Sequence, residues 1–296
     1  MHVVHHPDYV ARPQPGRDHF SKYALVMDDL RQDAALVEHR PEPMPRAWLE
    51  AAHDPVYVQA VLTQTVDPAI ERRIGFKVTP DVTRRAQLSP GGTWLAAKLA
   101  LEHGYAANAA GGSHHALPSS GAGFCVFNDL ATASLRLLGE GTVRRILIVD
   151  LDVHQGDGTA AILAGRDDVM TLSLHAEKNF PARKARSTLD VPLSDNLDDA
   201  GYLAALVPAL NAMIDRVRPD LILYQAGVDV HAEDKLGRLS LTDIGIAARD
   251  TLVATRAKVL GIPLASVMGG GYGDTHAVAA RHAATIRTLA RTIAAP

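Results

Sequence analysis

Where one apolar run stops, the stretch RILIVDLDVHQGDG (145–158) sets Asp150, Asp152, His154 and Asp157 in quick succession. Side chains of an extended segment alternate between faces. Asp150, Asp152 and His154 therefore share one side, and Leu151 and Val153 take the other. An Asp-x-His pair offers a carboxylate and an imidazole together to a metal ion. A third ligand would complete an open tripod with room for water, as a catalytic zinc needs. Asp229 in GVDVH is the best candidate for that ligand, at the end of an adjacent expected strand. Two carboxylates also balance the charge of a divalent cation. The plainer reading, helix N-capping, needs one acid rather than this set, although Asp157 could serve as a cap.

Two further clusters carry chemistry. His114 and His115, in GGSHHA, can act as a paired acid and base if carboxylates behind them set tautomer and basicity; Asp150 and Asp157 are the candidates. The dipeptide by itself is a weak signal, since His5–His6 repeats it. In MGGGYGD (268–274) glycines allow close backbone approach, so Gly270 and Gly271 are candidates to line a substrate. Tyr272 can donate to a developing oxyanion. A structural turn is the alternative. The run lacks a P-loop ending, and Gly-x-Ser-x-Gly and His-Glu-x-x-His are missing from the sequence. His175 and His231 read as wall residues rather than ligands. His5, His6 and His19 read as loop residues, with His19–Phe20 a candidate pocket entrance.

These clusters follow short apolar runs. Strands are expected at 2–6, 105–110, 145–151, 169–174, 220–226 and 263–268, and helices at 92–103, 128–138, 157–165, 199–217, 242–260 and 275–293. Runs such as ILIV and LILY suit strands buried on both faces. Strand–helix alternation implies an α/β fold with a mostly parallel sheet. In such sheets ligands bind beyond the carboxyl ends of strands, which is where the clusters fall. The segment 11–90 is irregular and Pro-rich and is expected to cover the sheet. With no linker or repeat, one domain over 1–296 is expected.

The chain has 296 residues and a formal charge of −3. Its one cysteine, Cys125, excludes an internal disulfide framework and a multi-cysteine zinc site, and fits a reducing cytoplasm. No apolar run is long enough for a membrane span, and no signal peptide is evident. Basic residues occur in pairs rather than along one face, so nucleic acid is not an expected ligand. Nothing in the sequence sets an oligomeric state.

Taken together, GGSHHA, GAGFCVFND, VDLDVHQGDGT, GVDVHAEDKLGRLSLT and GGGY resemble the histone deacetylase superfamily from about residue 15 to 285. HQGDG, EKNFPARK and EDKLGRLSLT, with the compact length, are most similar to its class IV branch and bacterial relatives. The resemblance implies a three-layer arginase–deacetylase fold with a mostly parallel sheet of about eight strands. It implies metal ligation by Asp152, His154 and Asp229, catalytic histidines at His114 and His115 backed by Asp150 and Asp157, and a transition-state tyrosine at Tyr272. Gly123 and Phe124 would line an acyl-lysine tunnel. The expected cofactor is Zn²⁺, with Fe²⁺ suited to the same donors. A structural K⁺ would use Asp150, Asp152, His154, Ser173 and Leu174, and a second the 163–169 turn. The implied activity is metal-dependent hydrolysis of N-ε-acyl-lysine in a protein or peptide. The rivals are a small acylated amine as substrate, such as an acetylpolyamine, and an inactive acyl-lysine binder. The net basic segment 72–87 disfavours a polycation. Neither nucleic acid nor membrane is an expected partner.

Overall fold

A computed structural model describes residues 1–11 and 20–295. The apolar runs become eight strands: β1 (His2–Val4), β2 (Val37–His39), β3 (Tyr105–Asn108), β4 (Ile146–Asp150), β5 (Val169–Ala176), β6 (Leu189–Leu193), β7 (Leu221–Ala226) and β8 (Leu264–Met268). They form one sheet in the order β2-β1-β3-β8-β7-β4-β5-β6. Every neighbouring pair is parallel.

Alternation along these strands feeds two cores. Leu147, Val149, Ile222 and Tyr224 pack with residues of α1 (Lys22–Leu30), α8 (Asp199–Val217), α9 (Asp243–Val259) and α10 (Thr275–Ala294). Ile146, Ile148, Leu221 and Leu223 face the other way, toward α5 (Pro80–His103) and α6 (Asp129–Gly139). Burial on both faces explains why the central strands read as unbroken apolar runs.

Three expectations need correction. β2 and β6 were not foreseen, because edge strands need no doubly buried run: β2 is VEH, mostly exposed, and β6 carries Pro192. Helix α5 begins at Pro80 rather than 92, capped by Thr79, whose side chain accepts from Val82 N. The Pro90-Gly91-Gly92 triplet looks like a break but lies inside it. Its glycines serve packing: a Cβ at Gly91 would stand 2.0 Å from Glu42 O, and one at Gly92 2.0 Å from the Tyr9 hydroxyl. Finally β5 runs on to Ala176, so His175 lies within the strand rather than past its end. The rest of 11–90 supplies α1, α2 (Arg46–Ala52), α3 (Pro55–Leu62) and α4 (Pro68–Ile74). His19 lies outside the described residues.

Strand register aligns the carboxyl ends. Asp150 pairs with Gln225 of β7, Gln225 with Val267 of β8, and Val267 with Asn108 of β3. The loops after β3, β4, β7 and β8 therefore share one rim.

Candidate active site

Asp152 and His154 follow β4, and Asp229 follows the neighbouring β7. Their ligand atoms lie within 4.8 Å of one another, and all three residues are buried. Backbone N–H groups aim the carboxylates. Gly270 N donates to Asp152 Oδ2 at 2.7 Å, and Val153 N donates to Asp229 Oδ1 at 2.9 Å. The opposite oxygens turn inward: His154 Nδ1 is 3.0 Å from Asp152 Oδ1 and 3.1 Å from Asp229 Oδ2. Gly270 is required here, since a Cβ on it would lie 1.7 Å from Asp229 Oδ2.

This cluster suits a divalent cation. Burial alone would push the His154 imidazole toward neutrality, but hydrogen bonds and charge from Asp152 and Asp229 hold it protonated, with a pKa of about 10. Burial, then the charge of Asp152, raises Asp229 above the ordinary carboxylate range. Two buried carboxylates thus recruit a proton onto His154 as a counter-charge, a role a metal bound by this O,N,O set would take over.

Two His–Asp pairs adjoin the cluster. His114 Nδ1 is 2.8 Å from Asp150 Oδ2, and His115 Nδ1 is 2.7 Å from Asp157 Oδ1. The two rings stand 4.1 Å apart. Their basicities diverge. For His114, burial acts downward but Asp150 and Asp152 outweigh it, giving about 9. For His115, burial and then the charge of His114 prevail over Asp157, giving about 4. Asp157 opens α7 (Asp157–Ile162), whose N-cap is Gly156 with no side-chain capping bond. The Asp157 carboxylate faces His115 rather than capping the helix.

A cavity of about 210 Å³ opens over this group. Among its lining residues are His114, His115, Gly123, Phe124, Asp152, Gly270, Gly271 and Tyr272. The half-buried Tyr272 ring lies 5.9 Å from that of Phe124 and 6.2 Å from that of His154. Gly123 has φ 52°, and a Cβ there would stand 2.7 Å from the His115 ring.

Ser173 pairs in register with Asp150, and its hydroxyl meets His175 Nδ1 at 3.0 Å; Leu174 beside it is fully buried. Neither His175 nor His231 joins the metal-ligand group. His231 instead sits 3.5 Å from Asp243.

Sequence reasoning missed four residues of the site and its support. The Phe180 ring stands edge-on to His115 at 4.7 Å. Lys22 and Arg85 line the cavity with Phe20. Lys22 Nζ donates to Gly269 O at 3.2 Å, and Arg85 Nε to Tyr9 O at 3.0 Å. Neither cation meets a carboxylate among the described residues. The fourth is Arg249, fully buried, whose Nη1 donates to Gly227 O at 2.6 Å and Leu151 O at 3.3 Å. It thereby joins the backbone preceding Asp152 to the backbone preceding Asp229. An Ala/Arg-rich helix such as α9 gives no local sign of this. The nearest hint is the charged pair Arg249–Asp250 on an apolar face.

An eight-stranded parallel sheet flanked by helices, with a buried Asp/His/Asp group and two His–Asp pairs on its rim, is the arginase–deacetylase type of α/β fold. The chain belongs to the histone deacetylase family, whose model, described as the histone deacetylase domain, matches residues 16–289. It is 46% identical over 285 residues to an uncharacterized protein of Picosynechococcus, covering 95% of each chain. It is 33% identical over 261 residues to histone deacetylase 2 of Arabidopsis thaliana, covering 84% of this chain and 66% of that one. With human histone deacetylase 1 it shares 34% identity over 218 residues, 69% of this chain but 42% of the relative. It thus spans less than two thirds of the named deacetylases' length. In fold it is similar to the crystal structure of the HDA15 HD domain, with a TM-score of 0.78 and 19% identity, covering 98% of this chain and 91% of that one. Family membership supports a deacetylase-type hydrolase acting on acylated amides. Among the described residues no helix is long and apolar enough to cross a membrane.

Proposed function

We propose that this chain is a metal-dependent amidohydrolase that removes acyl groups, acetyl or longer, from N-ε-acyl-lysine in proteins or peptides. One juxtaposition carries the reading: a buried Asp152/His154/Asp229 group meets two His–Asp pairs at an aromatic-walled cavity. Asp152, His154 and Asp229 would hold the ion, Zn²⁺ with Fe²⁺ as the alternative. When bound, such an ion lowers the pKa of water and polarises an acyl carbonyl. His115, beneath Phe180 and backed by Asp157, takes the proton of the attacking water and returns it to the leaving amine. His114, held by Asp150 and 3.8 Å from Asp152, acts by its charge. Tyr272 donates its phenol O–H to the oxyanion. Gly123, Phe124 and Phe180 enclose the lysine stem, while Gly270 and Gly271 bring backbone close to the acyl group. Lys22 and Arg85 give the cavity a positive lining that suits the acid product.

A structural K⁺ is part of the same reading, at Asp150, Asp152, His154, Ser173 and Leu174, with a second at 163–169. So are a single catalytic unit over 1–296, a class IV-like place within the family, and a cytoplasmic setting, supported respectively by the continuous sheet, by the HQGDG and EKNFPARK motifs, and by the lone cysteine.

The test is a panel of lysine peptides acylated from acetyl to myristoyl, alongside acetylpolyamines, with and without a chelator. Turnover of the peptides that a chelator abolishes and added metal restores is expected. No turnover of any acyl-lysine peptide by metal-loaded protein would defeat the reading.

A further inference from the structure

Exposed cations without a carboxylate partner among the described residues stand beside the segments that wall the cavity. Phe124 is hydrogen-bonded to the end of α4: Gly123 N donates to Arg73 O at 3.0 Å and Phe124 N to Ile74 O at 2.8 Å. Arg72 and Arg73 in that last turn, and Lys77 just beyond, are exposed. Exposed Arg183 follows Phe180, whose ring meets that of His115, by three positions. Lys235 is also exposed, and its backbone N donates to Tyr272 O at 2.9 Å. None of these five side chains forms an ion pair or hydrogen bond with a carboxylate among the described residues.

The acids nearby are mostly engaged. Glu71 accepts from Val78 N at 2.8 Å. Asp234 accepts from Leu236 N, Gly237 N and Tyr272 N at 2.8, 2.9 and 2.7 Å. Glu233 pairs with Arg281 at 2.6 Å, and Asp274 caps α10 through Ala277 N at 2.9 Å. Glu177, exposed near Phe180, is the exception. Five exposed cations therefore lie on segments adjoining Phe124, Phe180 and Tyr272. The neighbouring carboxylates keep their charge but are mostly held by backbone N–H groups or by Arg281, which leaves the cations as the unpaired charges of this surface.

We propose that this surface docks acyl-lysine set in an acidic peptide segment, with Asp or Glu flanking the acylated residue. The inference rests on the deacylase reading for turnover but not for binding. Exposed charges act over about 8 Å at 0.15 M salt. They raise encounter rate and lower KM more than they change the chemical step.

The experiment compares acetyl-lysine peptides of one length with acidic, neutral or basic flanks, by kcat/KM and by fluorescence anisotropy. At low salt we expect kcat/KM for acidic over basic flanks to differ by about tenfold or more, mostly in KM. The gap should shrink at 0.5 M salt, taken as roughly a 4 Å screening length. It should narrow in the Arg72→Gln/Arg73→Gln double variant and invert in Arg72→Glu/Arg73→Glu. Equal kcat/KM and equal binding for acidic and basic flanks at low salt would overturn the proposal. No turnover of any peptide, together with charge-ranked binding, would defeat the deacylase reading and leave this one standing.

Discussion

Each ligand carboxylate has one oxygen fixed by a backbone N–H of another segment and one turned to the shared centre, the latter in Asp152 also accepting from His154 N at 3.0 Å. This division is geometric, so it predicts where substitutions act. Tyr272 touches neither ligand carboxylate through a hydrogen bond, and its backbone is held separately by Asp234. Tyr272→Phe should therefore lower kcat by about a hundredfold, the effect of losing an oxyanion donor worth about 3 kcal/mol, with unchanged metal content by elemental analysis. Near-normal turnover would remove Tyr272 from the mechanism. Gly270→Ala is expected to act the other way. Its methyl would collide with Asp229, so metal affinity in chelator competition should fall by about tenfold or more. Unaltered affinity would mean that the backbone relaxes more freely than close packing suggests.

At the scale of elements, the site depends on β4 and β7 ending side by side. Arg249 fastens those ends, and its own charge is balanced by Asp250, which also accepts from Tyr224 and Thr285 hydroxyls at 2.6 and 2.7 Å. Arg249→Met would leave Asp250 buried without its counter-charge, at a cost of about 3–5 kcal/mol, and should lower the melting temperature sharply. Arg249→Lys keeps the charge but not the planar fork that reaches two carbonyls. We expect this variant to fold and to bind metal about ten- to a hundredfold more weakly, measured by chelator competition after circular dichroism confirms the fold. Wild-type metal affinity in folded Arg249→Lys would show that the strand ends hold themselves.

At the scale of the whole molecule, buried neutral histidines make stability depend on pH. His53 links two loops: its Nδ1–H donates to Leu117 O, and its Nε2 accepts from Asn128 N at 2.9 Å. Burial lowers its pKa to about 4 against an ordinary 6.5, with the carbonyl contacts only partly opposing. The folded state therefore resists protonation. This contribution is complete above about pH 6.5 and is lost as pH falls toward about 4, amounting to about 3 kcal/mol at most. Melting temperature should drop between pH 7.5 and pH 5. In His53→Gln the drop should be smaller, from a lower starting value at pH 7.5. An identical pH slope in both proteins would rule out His53 as a contributor.

The sequence by itself determined what is local. The Asp-x-His spacing marked Asp152 and His154 as a pair, although they meet on a bend after β4, closed by His154 N donating to Asp152 Oδ1, rather than on an extended strand. The central strands announce a doubly covered sheet because both of their faces are apolar. Clusters placed after successive runs point to one rim because parallel strands end together. Tertiary structure alone decided the contacts with no local period. Lys22 and Arg85 reach the cavity from helices in a segment without a motif, Phe180 covers His115 from a loop, and Arg249 enters beneath the strand ends from α9. The edge strands β2 and β6 also had to be seen, since pairing on one side needs little apolar signature. Glycine spacing was legible, but its cause was not: only packed coordinates show that Gly270 yields its place to the carboxylate of Asp229.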